Sequence, residues 1–146
     1  MNWDSYFYTV CQSVASKSSC LSRQIGAILV RDHSIISTGY NGPPRGVPHC
    51  KQECPRKTLG YGSGTHMELC PAQHAEENAV SNAARLGVSI LNSTLYMNSI
   101  VPCKNCFGTL INAGVTEIVI VEVKSYDKYA QFLIDNSNIK IREFKL

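Results

Sequence analysis

The chain has 146 residues, 44% of them hydrophobic and 17% charged, an ordinary composition for one globular domain spanning 1–146. Its net charge is only +3, and no Lys/Arg run suggests a nucleic-acid groove. No apolar stretch approaches the roughly 18 residues that cross a bilayer, so neither a nucleic-acid nor a membrane partner is expected.

The first residues, Met1 to Ser5, lack the basic and apolar regions of a secretory leader, which predicts a cytoplasmic protein. Disulfides are rare in that compartment, so seven cysteines point to metal. Phe7, Val10, Cys11 and Val14 recur at helical spacing and predict a helix over Tyr6 to Lys17, with Cys11 on its apolar face. Ile25 to Val30 and Ser34 to Tyr40 flank Arg31-Asp32-His33 as a β-hairpin, and Asn41-Gly42-Pro43-Pro44 ends the second strand. Residues 43–72 are rich in Gly, Pro, Cys and His and have no period. A loop of that length needs something to pin it.

Gln73 to Leu86 reads as a helix stopped by Gly87, and Thr94 to Met97 as a short strand. Cys103 to Ala113 is a second helix stopped by Gly114, and Thr116 to Glu122 an apolar strand. Lys128 to Asn136 and Ile139 to Phe144 close the chain as helix and strand. This alternation predicts parallel strand pairing with helices packed on the sheet.

Two short motifs carry the chemistry. His74-Ala75-Glu76 opens one predicted helix, and Pro102-Cys103-Lys104-Asn105-Cys106 opens the next. One imidazole and two thiolates are three ligands for a tetrahedral zinc, leaving a fourth position for water. Such a set is formally neutral with Zn²⁺, and zinc can lower the pKa of bound water from 15.7 to roughly 7. Glu76 is close enough to shuttle protons for that water. Glu77 points about 100° away on a helix and reads as a surface or supporting carboxylate. Helix N-termini favour thiolates, so two adjacent helix starts would make a zinc cradle.

The chain resembles the deoxycytidylate (dCMP) deaminases of the cytidine deaminase-like superfamily over about Ser18 to Tyr126. The resemblance rests on Cys20-Leu21-Ser22-Arg23-Gln24-Ile25-Gly26-Ala27, Gly39-Tyr40-Asn41-Gly42, His74-Ala75-Glu76-Glu77-Asn78-Ala79 and Pro102-Cys103-x-x-Cys106. The H-x-E…P-C-x-x-C pattern is that of zinc deaminases of nucleobases.

It implies a three-layer α/β/α sandwich around a mixed five-stranded sheet. It implies attack of zinc-bound hydroxide on C4 of dCMP with Glu76 as proton shuttle, giving dUMP and ammonia for thymidylate synthesis. It implies a homo-oligomer, often a hexamer, with dCTP and dTTP as effectors and Mg²⁺ accompanying the triphosphate. Asn41 matches the asparagine that relatives use for the sugar. Arg23 is the first candidate for the 5′-phosphate, with Lys124 and Tyr126 behind it, because a monophosphate needs charge-assisted donors. Relatives often carry Arg-Thr before the His-Ala-Glu; Ala72-Gln73 stands there in this chain, so no phosphate contact is expected from that segment.

Cys20, Cys50, Cys54 and Cys70 are left over. Four thiols in or beside the long loop suit a closed structural zinc, with His49 or His66 as substitutes for one of them. His33 reads as a polar turn residue. Other readings of the same motifs are a tRNA adenosine-type deaminase, a dCTP or deoxycytidine deaminase, and a non-catalytic zinc protein of regulation or DNA uptake.

Overall fold

The computed structural model describes residues 1–50, 54–62 and 65–146, so parts of the long loop lie outside the described residues. Asn2 starts the first helix, α1 (Trp3–Ala15), by accepting a 2.8 Å hydrogen bond from the Ser5 amide. That side-chain cap, which apolar spacing cannot register, sets the start three residues earlier than the sequence pattern. The hairpin forms as predicted from β1 (Gly26–Arg31) and β2 (Ser34–Tyr40). Asp32 and His33 turn it with φ of 52° and 61°, the left-handed pair that suits the right-handed twist of two strands. His33 is more than a turn residue: its ring stacks on Trp3 at 4.1 Å.

The long loop holds a single helical turn, α2 (Pro55–Thr58), and a 3₁₀ turn at Met67–Leu69. Then follow α3 (Ala75–Leu86), β3 (Ser93–Met97), α4 (Lys104–Ala113), β4 (Val115–Ile120), α5 (Ala130–Asn136) and β5 (Lys140–Glu143). Gly87 and Gly114 end α3 and α4 with φ of 70° and 99°, a conformation that costs glycine little.

The five strands run in the order β2-β1-β3-β4-β5. β1 pairs antiparallel with both β2 and β3, while β3–β4 and β4–β5 are parallel, so the sheet is mixed. Alternate residues face opposite layers. Leu29, Leu95, Met97, Ile118 and Ile120 pack with Ala75, Ala79, Ala83, Phe107, Leu110 and Ala130 beneath α3, α4 and α5. Ile28, Val30, Tyr96 and Val119 pack against Phe7 and Cys11 of α1 on the other side. Cys11 is a core residue: its thiol donates to the Tyr96 carbonyl at 3.3 Å, and burial pushes its pKa up to about 12. The outcome is the three-layer α/β/α sandwich expected. No helix among the described residues is long and apolar enough to cross a membrane.

α3 sits unusually close to the sheet. A methyl group on Gly39 would strike the Ala75 carbonyl oxygen and the Ala79 amide nitrogen of that helix. Polar side chains complete the seam: Asn82 donates to the Thr38 carbonyl and Asn78 to the Tyr40 carbonyl, both at 2.8 Å. The start of α3 is thereby fixed at the end of β2, where the site lies.

Candidate metal centre and cavity

His74 is the N-cap of α3 and Cys103 the N-cap of α4, with Cys106 in the first turn of α4. The β3-to-α4 connection leaves the carboxyl end of a parallel strand, the usual crevice for ligands in α/β sheets. The His74 Nδ1 atom lies 3.6 Å from Cys103 Sγ and 3.3 Å from Cys106 Sγ, and the three donor atoms fall within 4.8 Å of one another. Tetrahedral ligands at ordinary Zn–S and Zn–N lengths would stand about 3.6 Å apart, so this set fits zinc.

Neither N-cap residue uses its side chain as a cap. Glu77 accepts from the His74 amide at 2.7 Å, and Asp127 accepts from the Lys104 amide at 2.8 Å. The imidazole and thiol are left to face one another. Glu77 is thus the capping carboxylate of α3, a function its helical direction did not reveal.

The electrostatics follow from this crowding. The Cys106 thiol, hydrogen-bonded to Cys103, and then His74 pull the Cys103 pKa down to about 3. The same contact, with burial, pushes Cys106 up. Cys103 raises the His74 pKa to about 8. Glu76 is only 4% exposed, and its burial raises its carboxyl above the usual range. A carboxyl raised in this way suits a group that must both take and give a proton.

His74 and Glu76 open into a cavity of about 320 Å³, within the size range of small-molecule sites. Arg23, Asn41 and Tyr126 line it with His74 and Glu76; Lys124 does not. Arg23 is exposed at the rim with its guanidinium 5.9 Å from the Tyr126 ring centre. Burial, with the negative charges of Cys103 and Glu76, holds the Tyr126 phenol above its ordinary range. Asn41 is 8% exposed; its Oδ1 accepts from the Ile25 amide at 2.8 Å and its Nδ2 donates to the Arg23 carbonyl at 3.0 Å.

Sequence reasoning missed Ser22 and Arg56, which also line the cavity. Ser22 was visible inside a motif already singled out. Arg56 stood in an aperiodic loop with no signal to mark it.

The four remaining cysteines are near one another. Cys50 is buried, and its thiol is pushed up by burial and then by Cys20, Cys54 and Cys70. Among the described residues, His74, Cys103 and Cys106 form the group with donors gathered within 4.8 Å; the loop sulfurs are not drawn together that tightly. The His66 ring is stacked on Tyr61 at 3.6 Å.

The family described as the cytidine and deoxycytidylate deaminase zinc-binding region matches residues 1–122. The chain is 34% identical over 144 residues to deoxycytidylate deaminase of Schizosaccharomyces pombe, covering 98% of this chain and 44% of that protein. It is 37% identical over 144 residues to deoxycytidylate deaminase of Saccharomyces cerevisiae, covering 98% and 45%. It therefore spans about half the length of these two relatives. The crystal structure of the dCMP deaminase from cyanophage S-TIM5, in complex with dCMP and dUMP, superposes with a TM-score of 0.76 at 23% identity, over 95% of this chain and 94% of that one.

Proposed function

The chain belongs to the cytidine and deoxycytidylate deaminase zinc-binding family, and from that premise we propose that it hydrolyses dCMP to dUMP and ammonia. The observation that carries this reading is Glu76, a buried carboxyl in the cavity wall beside His74. His74, Cys103 and Cys106 would hold zinc, which when bound supplies Lewis-acid activation of water. Glu76 takes the first proton of the attacking water and passes it to the ring nitrogen of cytosine, then takes the second from the hydroxyl now on C4 and gives it to the amine, which leaves as ammonia while the C4 carbonyl forms. Arg23 and Asn41 bind the phosphate and sugar, and the Tyr126 ring shields the cavity from solvent. The positive rim and the names of the relatives support a nucleotide substrate.

Further parts of the reading concern the rest of the chain. Cys20, Cys50, Cys54 and Cys70 hold a second, structural zinc that pins the long loop; their mutual proximity supports it. The protein works as a homo-oligomer in the cytoplasm, and exposed Val121, Val123, Tyr129 and Phe132 after β4 support assembly. dCTP with Mg²⁺ activates it and dTTP inhibits it, which initial rates at fixed dCMP would report.

Ammonia release from dCMP, deoxycytidine and dCTP tests the activity, with bound zinc measured on the same sample. Glu76→Gln should lower kcat for dCMP roughly 10²- to 10⁴-fold while zinc stays bound. Undiminished turnover in that variant would remove Glu76 from the chemistry. A zinc-loaded wild type inert on all three compounds would sink the substrate reading.

A further inference from the structure

Residues 18–25, between α1 and β1, form a strap with no helix or strand of its own. Cys20, Ser22, Arg23 and Ile25 of this strap line the same cavity as His74 and Glu76. A segment without regular structure takes its position from the polar contacts that satisfy its backbone. The far end of the strap is held by Asn41, whose side chain accepts from the Ile25 amide at 2.8 Å and donates to the Arg23 carbonyl at 3.0 Å. The near end is held by Ser18. Its hydroxyl accepts from the Cys20 amide at 3.2 Å and donates to the Asn41 carbonyl at 2.7 Å. Gln24 draws the two ends together, donating from Nε2 to the Ser18 carbonyl at 2.7 Å.

Ser18 is 2% exposed and is not part of the cavity lining. A serine hydroxyl has one proton to donate, and Asn41 receives it while the oxygen serves Cys20. One buried group thereby refers both ends of the strap to Asn41. Asn41 is in turn joined to the metal side. Gly42, the next residue, donates to the Gln73 carbonyl at 3.1 Å and accepts from the Gln73 amide at 2.8 Å, and His74 follows. A connected set of hydrogen bonds thus runs from the strap wall through Ser18 and Asn41 to the start of α3.

We propose that Ser18 is a positioning residue of the cavity: its hydroxyl fixes the strap wall against the metal wall, so that a nucleotide meets both at once. Ser18 stands outside the lining and acts through Cys20 and Asn41. The identity of the nucleotide rests on the deamination reading; the coupling of the two walls rests on the contacts above. Without the hydroxyl, the Cys20 amide and the Asn41 carbonyl each lose a partner, and the strap shifts to recover them. The strap carries none of the groups assigned to proton transfer or to the catalytic metal. Its displacement should therefore weaken binding more than it slows the chemical step.

Steady-state kinetics of Ser18→Ala on dCMP, with calorimetry of dUMP on the same samples well below Tm, tests this. KM for dCMP and Kd for dUMP should each rise roughly 3- to 30-fold, with kcat within about threefold of wild type. A merely structural serine would lower the folded fraction, which reduces kcat per chain and leaves KM and Kd unchanged; that result overturns the proposal. So does a crystal structure of Ser18→Ala in which the strap keeps its wild-type place. If Ser18→Ala does not fold, hydrogen exchange of the wild type decides. Adding dUMP should slow exchange at the Cys20 amide, and an amide that exchanges equally fast with and without dUMP refutes the coupling. A Ser18-dependent affinity for dUMP in a protein that leaves dCMP intact would sink the deamination reading alone. A wild type that binds no dUMP overturns both.

Discussion

Asn41 shows how much one side chain can settle. Its amide spans the gap to the neighbouring segment, accepting from Ile25 and donating to the carbonyl of Arg23. Its own carbonyl accepts from the Ser18 hydroxyl at 2.7 Å. Asn41→Asp keeps the acceptor and loses the donor, turning a carboxylate toward the Arg23 carbonyl. The variant should be less stable by about 1–3 kcal/mol in urea unfolding, with Arg23 displaced and KM for dCMP raised. Undiminished stability would mean that the amide contact contributes little. Residues of the metal centre were readable from sequence because each motif is short and lies at one helix start. His74, Glu76, Cys103 and Cys106 needed no tertiary knowledge to be recognised as a set. Arg56 was invisible for the opposite reason. Its meaning depends on burial in the cavity wall, which is not written in local spacing.

At the scale of elements, the first and last pieces of the chain are tied together. Asp4 in α1 accepts from both Nη atoms of Arg142 in β5, at 2.7 and 3.1 Å, and from the Lys145 amide at 2.8 Å. The Arg142 bond, more than any other contact, holds the Asp4 carboxyl below its ordinary range of 3.8. A depressed folded-state pKa contributes stability above the unfolded value and loses it as pH falls through the folded one. Asp4→Asn should therefore cost about 1–2 kcal/mol at pH 7, and the difference from wild type should shrink as pH is lowered below about 4. Urea unfolding of both proteins across that range checks the sign. A difference that grew on acidification would refute the assignment. Long elements with clear periods were legible: the hairpin, α3, α4 and the parallel strands stand where alternation and helical spacing put them. Their ends were less so, since the Asn2 side chain caps α1 and Asp127 accepts from the Tyr129 amide just before α5, contacts that no hydrophobic pattern records. The single turn of α2 is too short to show any period at all.

For the molecule as a whole, topology does what sequence proximity cannot. The parallel β3–β4 pairing sends α4 back across the sheet beside α3, so two helix starts far apart in the chain meet at one point. The alternation of strand and helix implied that meeting, and the donor distances bear it out. The long loop is the part where pattern ran out, because its described elements are one helical turn and one 3₁₀ turn, each too short to carry an amphipathic signature. Metal analysis of zinc-loaded protein should give close to two zinc per chain. Cys50→Ser together with Cys54→Ser should reduce this to about one and lower Tm, since closed zinc sites contribute folding energy directly. One zinc per chain in the wild type would remove the second site.

Asp127 gives the loop after β4 a double allegiance. Its carboxylate fastens the first amide of the helix that Cys103 caps and Cys106 sits in, while the adjacent Tyr126 lines the cavity. Cavity wall and ligand-bearing helix are pinned at one point of the chain. An engineer who reshapes this loop to change what the cavity admits will therefore also disturb the start of the helix holding Cys106, and libraries built here should be screened for stability as well as for binding.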